Sequence, residues 1–124
     1  MNDKLTELEA AVLFDGATEA PFSGELLHED RSGNFRCKNC GALLFGSDTK
    51  FDSGSGWPSF TRPKDRENVE LRDDKSVGMV RTEVVCKSCD GHLGHVFPDG
   101  PREEGGMRYC INSASLSFEP TSKE

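Results

Sequence analysis

The chain is short, acidic and rich in turn-forming residues. It has 124 residues, 13 of them Gly and 6 Pro, and its 15 Lys and Arg against 22 Asp and Glu give a formal net charge of −7 at pH 7. The length predicts a single domain over residues 1–124, and the negative charge argues against a nucleic-acid partner bound through its phosphates. Without a membrane-length apolar run or a signal-peptide pattern, we expect no membrane contact and a cytoplasmic location.

One helix is predicted at the start of the chain. Four apolar residues recur there at helical spacing: Leu5, Leu8, Val12 and Leu13. Thr6 and Glu9 have the spacing of a capping box, and Gly16 is a natural helix stop. These signals predict a helix over residues 7–14.

The rest of the chain is predicted to form short antiparallel strands. Clusters of Gly, Pro, Asp and Ser separate the candidates, which are Gly33–Arg36, Leu43–Phe45, Val69–Leu71, Met79–Val85, His95–Phe97, Arg108–Ile111 and Ala114–Phe118. In the last of them Ala114, Leu116 and Phe118 alternate with serine or glutamate and should face the core. The pattern indicates a mainly β fold with a short N-terminal helical segment.

Four of the five cysteines form two C-x-x-C motifs, Cys37 with Cys40 and Cys86 with Cys89. Four thiolates complete a tetrahedral zinc shell and leave no open position, so we expect one structural Zn²⁺. Two redox-active dithiols are the alternative, but thioredoxin-like proteins carry that motif in an α/β pattern that this sequence lacks. In a reducing compartment the paired motifs favour metal over disulfides.

Cys110 is left without a cysteine partner, and His92 and His95 stand in a segment rich in glycine. A lone cysteine is either a nucleophile or a small buried apolar residue, and two histidines either move protons or make ordinary hydrogen bonds. His28 lies in a charged stretch and is expected on the surface. A two-residue period places Arg108, Cys110 and Asn112 on one face of a strand, where Arg108 would favour the thiolate.

Trp57 is the only tryptophan and follows two glycines, so it either lines a cleft or packs in the core.

Several segments of this chain, taken together, resemble the B class of methionine sulfoxide reductases, which act on the R epimer of the sulfoxide. The matching segments span residues 5–119 and include 18–24, 35–41, 51–60, 81–83, 92–97 and 108–114. The resemblance implies two antiparallel β-sheets joined by a structural zinc.

The resemblance also implies a role for each candidate residue. Cys110 matches the nucleophile that attacks the sulfoxide sulfur and becomes a sulfenic acid, while Trp57 matches the aromatic residue that packs against the substrate methyl group. Arg108 belongs to the same active-site segment. Two further sets match the groups that bind and protonate the sulfoxide oxygen, His92, His95 and Asn112, and the zinc ligands, Cys37, Cys40, Cys86 and Cys89.

The implied substrates are oxidised proteins or peptides that contain methionine-R-sulfoxide, and the implied role is repair of oxidative damage by a monomer. Many relatives carry a resolving cysteine where this chain has Ser55. Regeneration of Cys110 should therefore need an external thiol reductant, thioredoxin or another thiol.

Two functions from other classes compete with this interpretation. A zinc-containing β-sheet can serve as a ligand-binding or protein-interaction module, although such a module needs no positioned thiol. A zinc hydrolase needs an open metal position, which a shell of four thiolates does not leave.

Overall fold

The structure, a computed structural model, describes residues 5–74 and 81–121. Helix α1 (Glu7–Asp15) precedes nine strands in the described residues. The strands are β1 (Gly33–Cys37), β2 (Leu43–Gly46), β3 (Lys50–Phe51), β4 (Ser59–Phe60), β5 (Val69–Asp74), β6 (Arg81–Cys86), β7 (His92–Phe97), β8 (Arg108–Ile111) and β9 (Leu116–Pro120). They form two antiparallel sheets, ordered β2-β1-β9 and β3-β4-β8-β7-β6-β5. The predicted mainly β fold with two antiparallel sheets and an N-terminal helix is confirmed.

Local signals set both ends of α1, as the sequence predicted. Thr6 Oγ1 accepts a hydrogen bond from the Glu9 N–H at 3.1 Å, and Glu9 Oε1 accepts one from the Thr6 N–H at 2.9 Å. The helix ends at Gly16, which has a left-handed φ of 72°. Within residues 5–74 and 81–121, no helix combines the length and apolar character needed to cross a bilayer.

Aromatic side chains join the two sheets. Phe60 of β4 stacks on Phe45 of β2 with ring centroids 4.4 Å apart, and it meets Phe35 of β1 edge-on at 5.1 Å. All three rings are fully buried. Complete burial of one such side chain contributes about 2 kcal/mol to folding, so these rings form a strong contact between the sheets.

Two predicted elements differ from the structure in ways that affect the site. The last strand starts at Leu116, because residues Ser113–Ser115 form a 3₁₀ turn in which the Ser115 hydroxyl donates to the Asn112 carbonyl at 2.8 Å. Ala114 is therefore only half-buried, whereas Leu116 is buried and Phe118 packs against the core as predicted. Strand β7 begins at His92, before the predicted His95 start, so both histidines of the glycine-rich segment lie on one strand.

The remaining differences are small. The two-residue strands β3 and β4 were missed, because two residues are too few to show a period. Of the predicted strand Met79–Val85, residues 79 and 80 lie outside the described part of the chain. Leu8, part of the helical apolar pattern, is 51% exposed, while Val12 and Leu13 are buried.

Strands β7 and β8 approach each other closely at Gly94. A Cβ added there would lie 2.1 Å from the Cys110 carbonyl oxygen and 2.9 Å from Ile111 Cα, so only glycine fits. This contact fixes the register in which Gly94 pairs with Ile111 and His95 pairs with Cys110.

Replacing Gly94 by alanine should therefore force β7 away from β8. We expect Gly94→Ala to lower the free energy of unfolding by about 3 kcal/mol, the upper end of what overpacking costs. Urea unfolding followed by far-UV circular dichroism measures this change. Gly16→Ala is the matched control, because an added Cβ meets nothing within 4 Å there and only the left-handed φ is strained, at a cost of about 1 kcal/mol. Equal losses in the two variants would contradict the close-approach argument.

Candidate active site

An open cleft of about 250 Å³ lies over β6, β7 and β8 and contains most of the predicted site residues. Its walls also include the loop before β4 and the segment after α1. The lining residues are Thr18, Ser55, Trp57, Arg81, Gly94, His95, Phe97, Arg108, Cys110 and Asn112. Five of the six predicted catalytic and substrate-binding residues thus share one cleft.

Cys110 and His95 are direct neighbours across two antiparallel strands. The pairing of β7 with β8 sets their Cα atoms opposite each other, and the side chains of such a pair project to the same face. On the other side of β8, Cys110 pairs with Ser59, and on the other side of β7, His95 pairs with Glu83. The thiol and the imidazole therefore lie in one row that crosses four strands.

The half-buried Cys110 thiol contacts a small network of hydroxyl groups. Ser55 Oγ lies 3.7 Å from Cys110 Sγ and accepts a hydrogen bond at 2.8 Å from Ser53, whose Oγ is 2.7 Å from Ser59 Oγ. Burial raises the pKa of the Cys110 thiol above its ordinary value, and Ser55 and the positive charge of Arg108 oppose this effect. The resting thiol therefore holds its proton at neutral pH.

Arg108 is held beside the thiol by two contacts. Its guanidinium forms a bidentate ion pair with Asp99, with Nε–Oδ1 at 2.9 Å and Nη2–Oδ2 at 3.3 Å. It also lies over the Phe97 ring at 4.5 Å from the centroid. Asp99 raises the pKa of Arg108, so the cation is permanent. This arrangement places a fixed positive charge at the cleft.

The two histidines occupy different places. His95 lines the cleft, and its Nε2 is 2.8 Å from Asp74 Oδ2. Burial lowers the pKa of His95, and the hydrogen bond that its ring N–H donates to the Asp74 carboxylate opposes that shift. His95 is therefore mostly neutral at neutral pH.

His92 lies behind His95 and does not line the cleft. Their ring centroids are 5.4 Å apart, and His92 Nδ1 is 2.7 Å from Glu83 Oε2. Its side chain borders an adjoining polar cavity, which shares Thr18, Arg81 and His95 with the cleft. His92 Nε2 is buried and has no hydrogen-bond partner among the described residues. The structure thus separates the histidine that lines the cleft, His95, from the histidine behind it, His92.

Trp57 and Asn112 are fixed by hydrogen bonds to the main chain. The Trp57 indole N–H donates to the Glu19 carbonyl at 3.0 Å. Asn112 is 3% exposed, and its Nδ2 donates to the Leu93 carbonyl at 3.0 Å while its Oδ1 accepts from the Glu19 N–H at 3.0 Å. The second hydrogen of this amide makes no hydrogen bond within the described residues, and Asn112 lines the cleft.

Several residues of the cleft and of the adjoining polar cavity had no assigned role in the sequence analysis. Phe97 could have been found, because it is two residues from His95 on one strand and so shares its face. Arg81 and Glu83 lie in segment 81–83, which contributes to the family resemblance, but their residue types and spacing did not indicate a role. Asp74 had no signal, because only the pairing of β5 with β6 brings it near His95.

The four paired cysteines form a compact cluster away from the cleft residues. Their Sγ atoms all lie within 4.8 Å of one another, with Cys37–Cys89 at 3.7 Å and Cys40–Cys86 at 3.5 Å. A tetrahedral zinc with metal–sulfur bonds of about 2.3 Å separates its sulfurs by about 3.8 Å. The spacing and the soft donors therefore fit a four-coordinate metal ion.

Matching turns present the two cysteine pairs. The Gly41 N–H donates to the Cys37 carbonyl at 2.9 Å, and the Asp90 N–H donates to the Cys86 carbonyl at 2.7 Å. Gly41 and Asp90 both have left-handed φ values, 83° and 63°. Because Cys37 ends β1 and Cys86 ends β6, the cluster joins the two sheets.

The chain matches a known protein family over most of its length. Residues 5–120 match the SelR domain. Three relatives are named peptide methionine sulfoxide reductase MsrB. The protein from Bradyrhizobium diazoefficiens is 57% identical over 94% of this chain and 84% of its own, and that from Leifsonia xyli subsp. xyli is 55% identical over the same shares. The protein from Alteromonas mediterranea is 54% identical over 94% of this chain and 81% of its own. The chain therefore belongs to the SelR-domain family, which contains the B-class methionine sulfoxide reductases that it was expected to resemble.

Proposed function

We propose that this protein reduces the R epimer of methionine sulfoxide to methionine in oxidised proteins and peptides, with the free amino acid as a second candidate substrate. The single observation that carries the proposal is the lone thiol of Cys110 opposite the imidazole of His95 in a cleft walled by Trp57. The names of the relatives supply the substrate class.

The chemistry is an oxygen transfer between two sulfur atoms. The Cys110 sulfur attacks the sulfoxide sulfur and forms a transient S–S bond. The oxygen then moves to the Cys110 sulfur with one proton as the original S–O bond and the S–S bond break, which releases methionine and leaves Cys110 as a sulfenic acid. Methionine sulfur gains two electrons, and Cys110 sulfur loses two. The proton that the oxygen needs is the proton that the thiol loses, so the overall step is balanced.

His95 is well placed to carry that proton. Burial keeps the thiol protonated and the imidazole neutral at rest, so the pair carries one titratable proton, which lies on the thiol. The ion pair of Cys110 thiolate and His95 imidazolium holds the same number. A bound sulfoxide can therefore receive an acid and a nucleophile without proton exchange with solvent.

The other candidate residues bind and orient the sulfoxide. The half-buried indole of Trp57 offers an apolar face to the methyl group, and the remaining amide hydrogen of Asn112 can donate to the sulfoxide oxygen. Arg108 stabilises the thiolate as it forms. His92 acts through His95, since it borders the adjoining cavity instead of the cleft.

The other four cysteines bind metal, and Cys110 therefore depends on an external thiol for its regeneration. Cys37, Cys40, Cys86 and Cys89 hold one structural Zn²⁺, which would join the two sheets and take no part in turnover. With those sulfurs bound to metal and Ser55 beside Cys110, no protein thiol is left to resolve the sulfenic acid. An external thiol, from thioredoxin or another reductant, regenerates the enzyme.

The proposal predicts a stereospecific reductase. With dithiothreitol as reductant, the R epimer of a methionine sulfoxide peptide should be consumed, and the S epimer should be left as a matched control. Cys110→Ser should lower the rate by more than about 10³-fold, because the hydroxyl is a far weaker nucleophile. Chromatographic separation of the epimers measures both results. Equal rates on the two epimers, or an active Cys110→Ser protein, would refute the proposal.

The zinc proposal is tested by metal content. We expect about one zinc per chain by elemental analysis, and Cys40→Ser should lose the metal and lower the melting temperature. Cys110→Ser is the matched control, since it makes the same chemical change outside the cluster and should keep both. A metal-free Cys40→Ser protein with wild-type stability would show that the cluster has no structural role.

The Ser55 argument predicts one oxidised thiol per turnover. Without reductant, each enzyme should form about one methionine and lose one thiol, and a sulfenic-acid trap should label Cys110. Because Ser55 Oγ is 3.7 Å from Cys110 Sγ, Ser55→Cys should divert the intermediate into a disulfide and improve turnover with thioredoxin. Ser88→Cys, in the exposed turn of the second cysteine pair, is the control and should neither form a disulfide with Cys110 nor improve turnover with thioredoxin. Loss of two thiols with release of zinc in the wild type would mean that a cluster cysteine resolves the intermediate.

A further inference from the structure

Glu19 is a buried carboxylate to which neither the sequence motifs nor the proposed reaction gives a role. It lies in the segment after α1 and is 3% exposed. Its Oε2 accepts a hydrogen bond from the Ser113 N–H at 2.9 Å, and its Oε1 accepts one from the Ala114 N–H at 2.8 Å. Both carboxylate oxygens are thus used to bind the turn that follows the strand of Cys110.

The main chain of the same residue holds two walls of the cleft. The Glu19 carbonyl accepts the indole N–H of Trp57 at 3.0 Å, and the Glu19 N–H donates to Asn112 Oδ1 at 3.0 Å. The side chain anchors the segment, and the anchored peptide units then orient the indole and the amide. One residue therefore connects the turn after β8 with two groups that face the substrate.

The main chain at Gly24 packs closely against the Glu19 carboxylate. A Cβ added at Gly24 would lie 2.6 Å from Glu19 Oε2 and 2.4 Å from Ser113 Cβ, so chain atoms close the space beside it. Burial raises the pKa of Glu19, whereas the hydrogen bonds from Ser113 and Ala114 lower it. Two backbone donors directed at two oxygens favour the carboxylate over any neutral side chain.

We propose that Glu19 is a positioning residue for substrate binding, which acts by fixing Trp57 and Asn112 through its own peptide groups. The inference rests on the proposed function for the roles of those two residues. The contacts themselves do not depend on that function.

Glu19→Gln tests the proposal with a change of similar size. Glutamine has one side-chain oxygen, so one buried N–H of the turn would face an amide NH₂ and lose its partner. We expect the KM for the R sulfoxide to rise by about tenfold, as the loss of one buried hydrogen bond implies. The rate at which iodoacetamide alkylates Cys110 should change by less than about threefold. The Glu19 contacts do not hold the thiol, and the Glu19 charge is the weakest of the influences on the pKa of Cys110.

Two further readouts separate positioning from general stability. Trp57 is the only tryptophan, so its fluorescence reports the indole alone and should shift to longer wavelength in Glu19→Gln. Glu25→Gln, the same change at an exposed position in the same segment, is the control and should leave KM and emission unchanged. A folded Glu19→Gln protein with wild-type KM and wild-type emission would overturn the proposal.

If Glu19→Gln does not fold, hydrogen exchange in the wild type tests whether Glu19 holds the Trp57 indole. The indole N–H of Trp57 should exchange with deuterium at least about tenfold more slowly than free indole, because it is hydrogen-bonded to Glu19. Exchange at the free rate would overturn the proposal. If the wild type fails to reduce the R sulfoxide, the proposed function is wrong, while emission and exchange still decide whether Glu19 positions the indole.

Discussion

The close approach of β7 and β8 at Gly94 is the constraint on which the candidate site depends. With a Cβ excluded by the Cys110 carbonyl, the two backbones meet directly and the register is fixed. That register sets Cys110 opposite His95. A slip of one residue would send one of these side chains to the other face of the sheet and separate thiol from imidazole. The chemistry of the cleft is thus a consequence of strand pairing.

The rest of the fold supports this pair of strands from both sides. On one side, β6 and β5 bring Glu83 and Asp74 to the two histidines. On the other, β4 and the loop before it bring Ser55 and Trp57. Buried phenylalanine rings and the four-cysteine cluster then join the six-stranded sheet to the three-stranded sheet. Cys110 and His95 themselves lie on strands, which hold a side chain more firmly than loops do.

The electrostatics of the cleft suit a reaction that begins and ends uncharged. Burial opposes charge on both Cys110 and His95, and the fixed cation of Arg108 limits this penalty for the thiolate. A sulfoxide brings a polar oxygen and no net charge. In the proposed reaction the groups around the sulfoxide therefore need to move only one proton locally.

Sequence alone determined the features that depend on short-range interactions. The capping of α1 by Thr6 and Glu9, and the pairing of cysteines within each C-x-x-C turn, involve residues three apart, so spacing was sufficient. The alternation Arg108, Cys110 and Asn112 also follows from one strand's period. Tertiary structure decided the rest: which histidine faces the cleft, the neighbours of Cys110 on adjacent strands, and the contacts of Glu19 with a turn 94 residues away. Those contacts depend on strand register and sheet packing, because the energy that selects them comes from residues far apart in the chain.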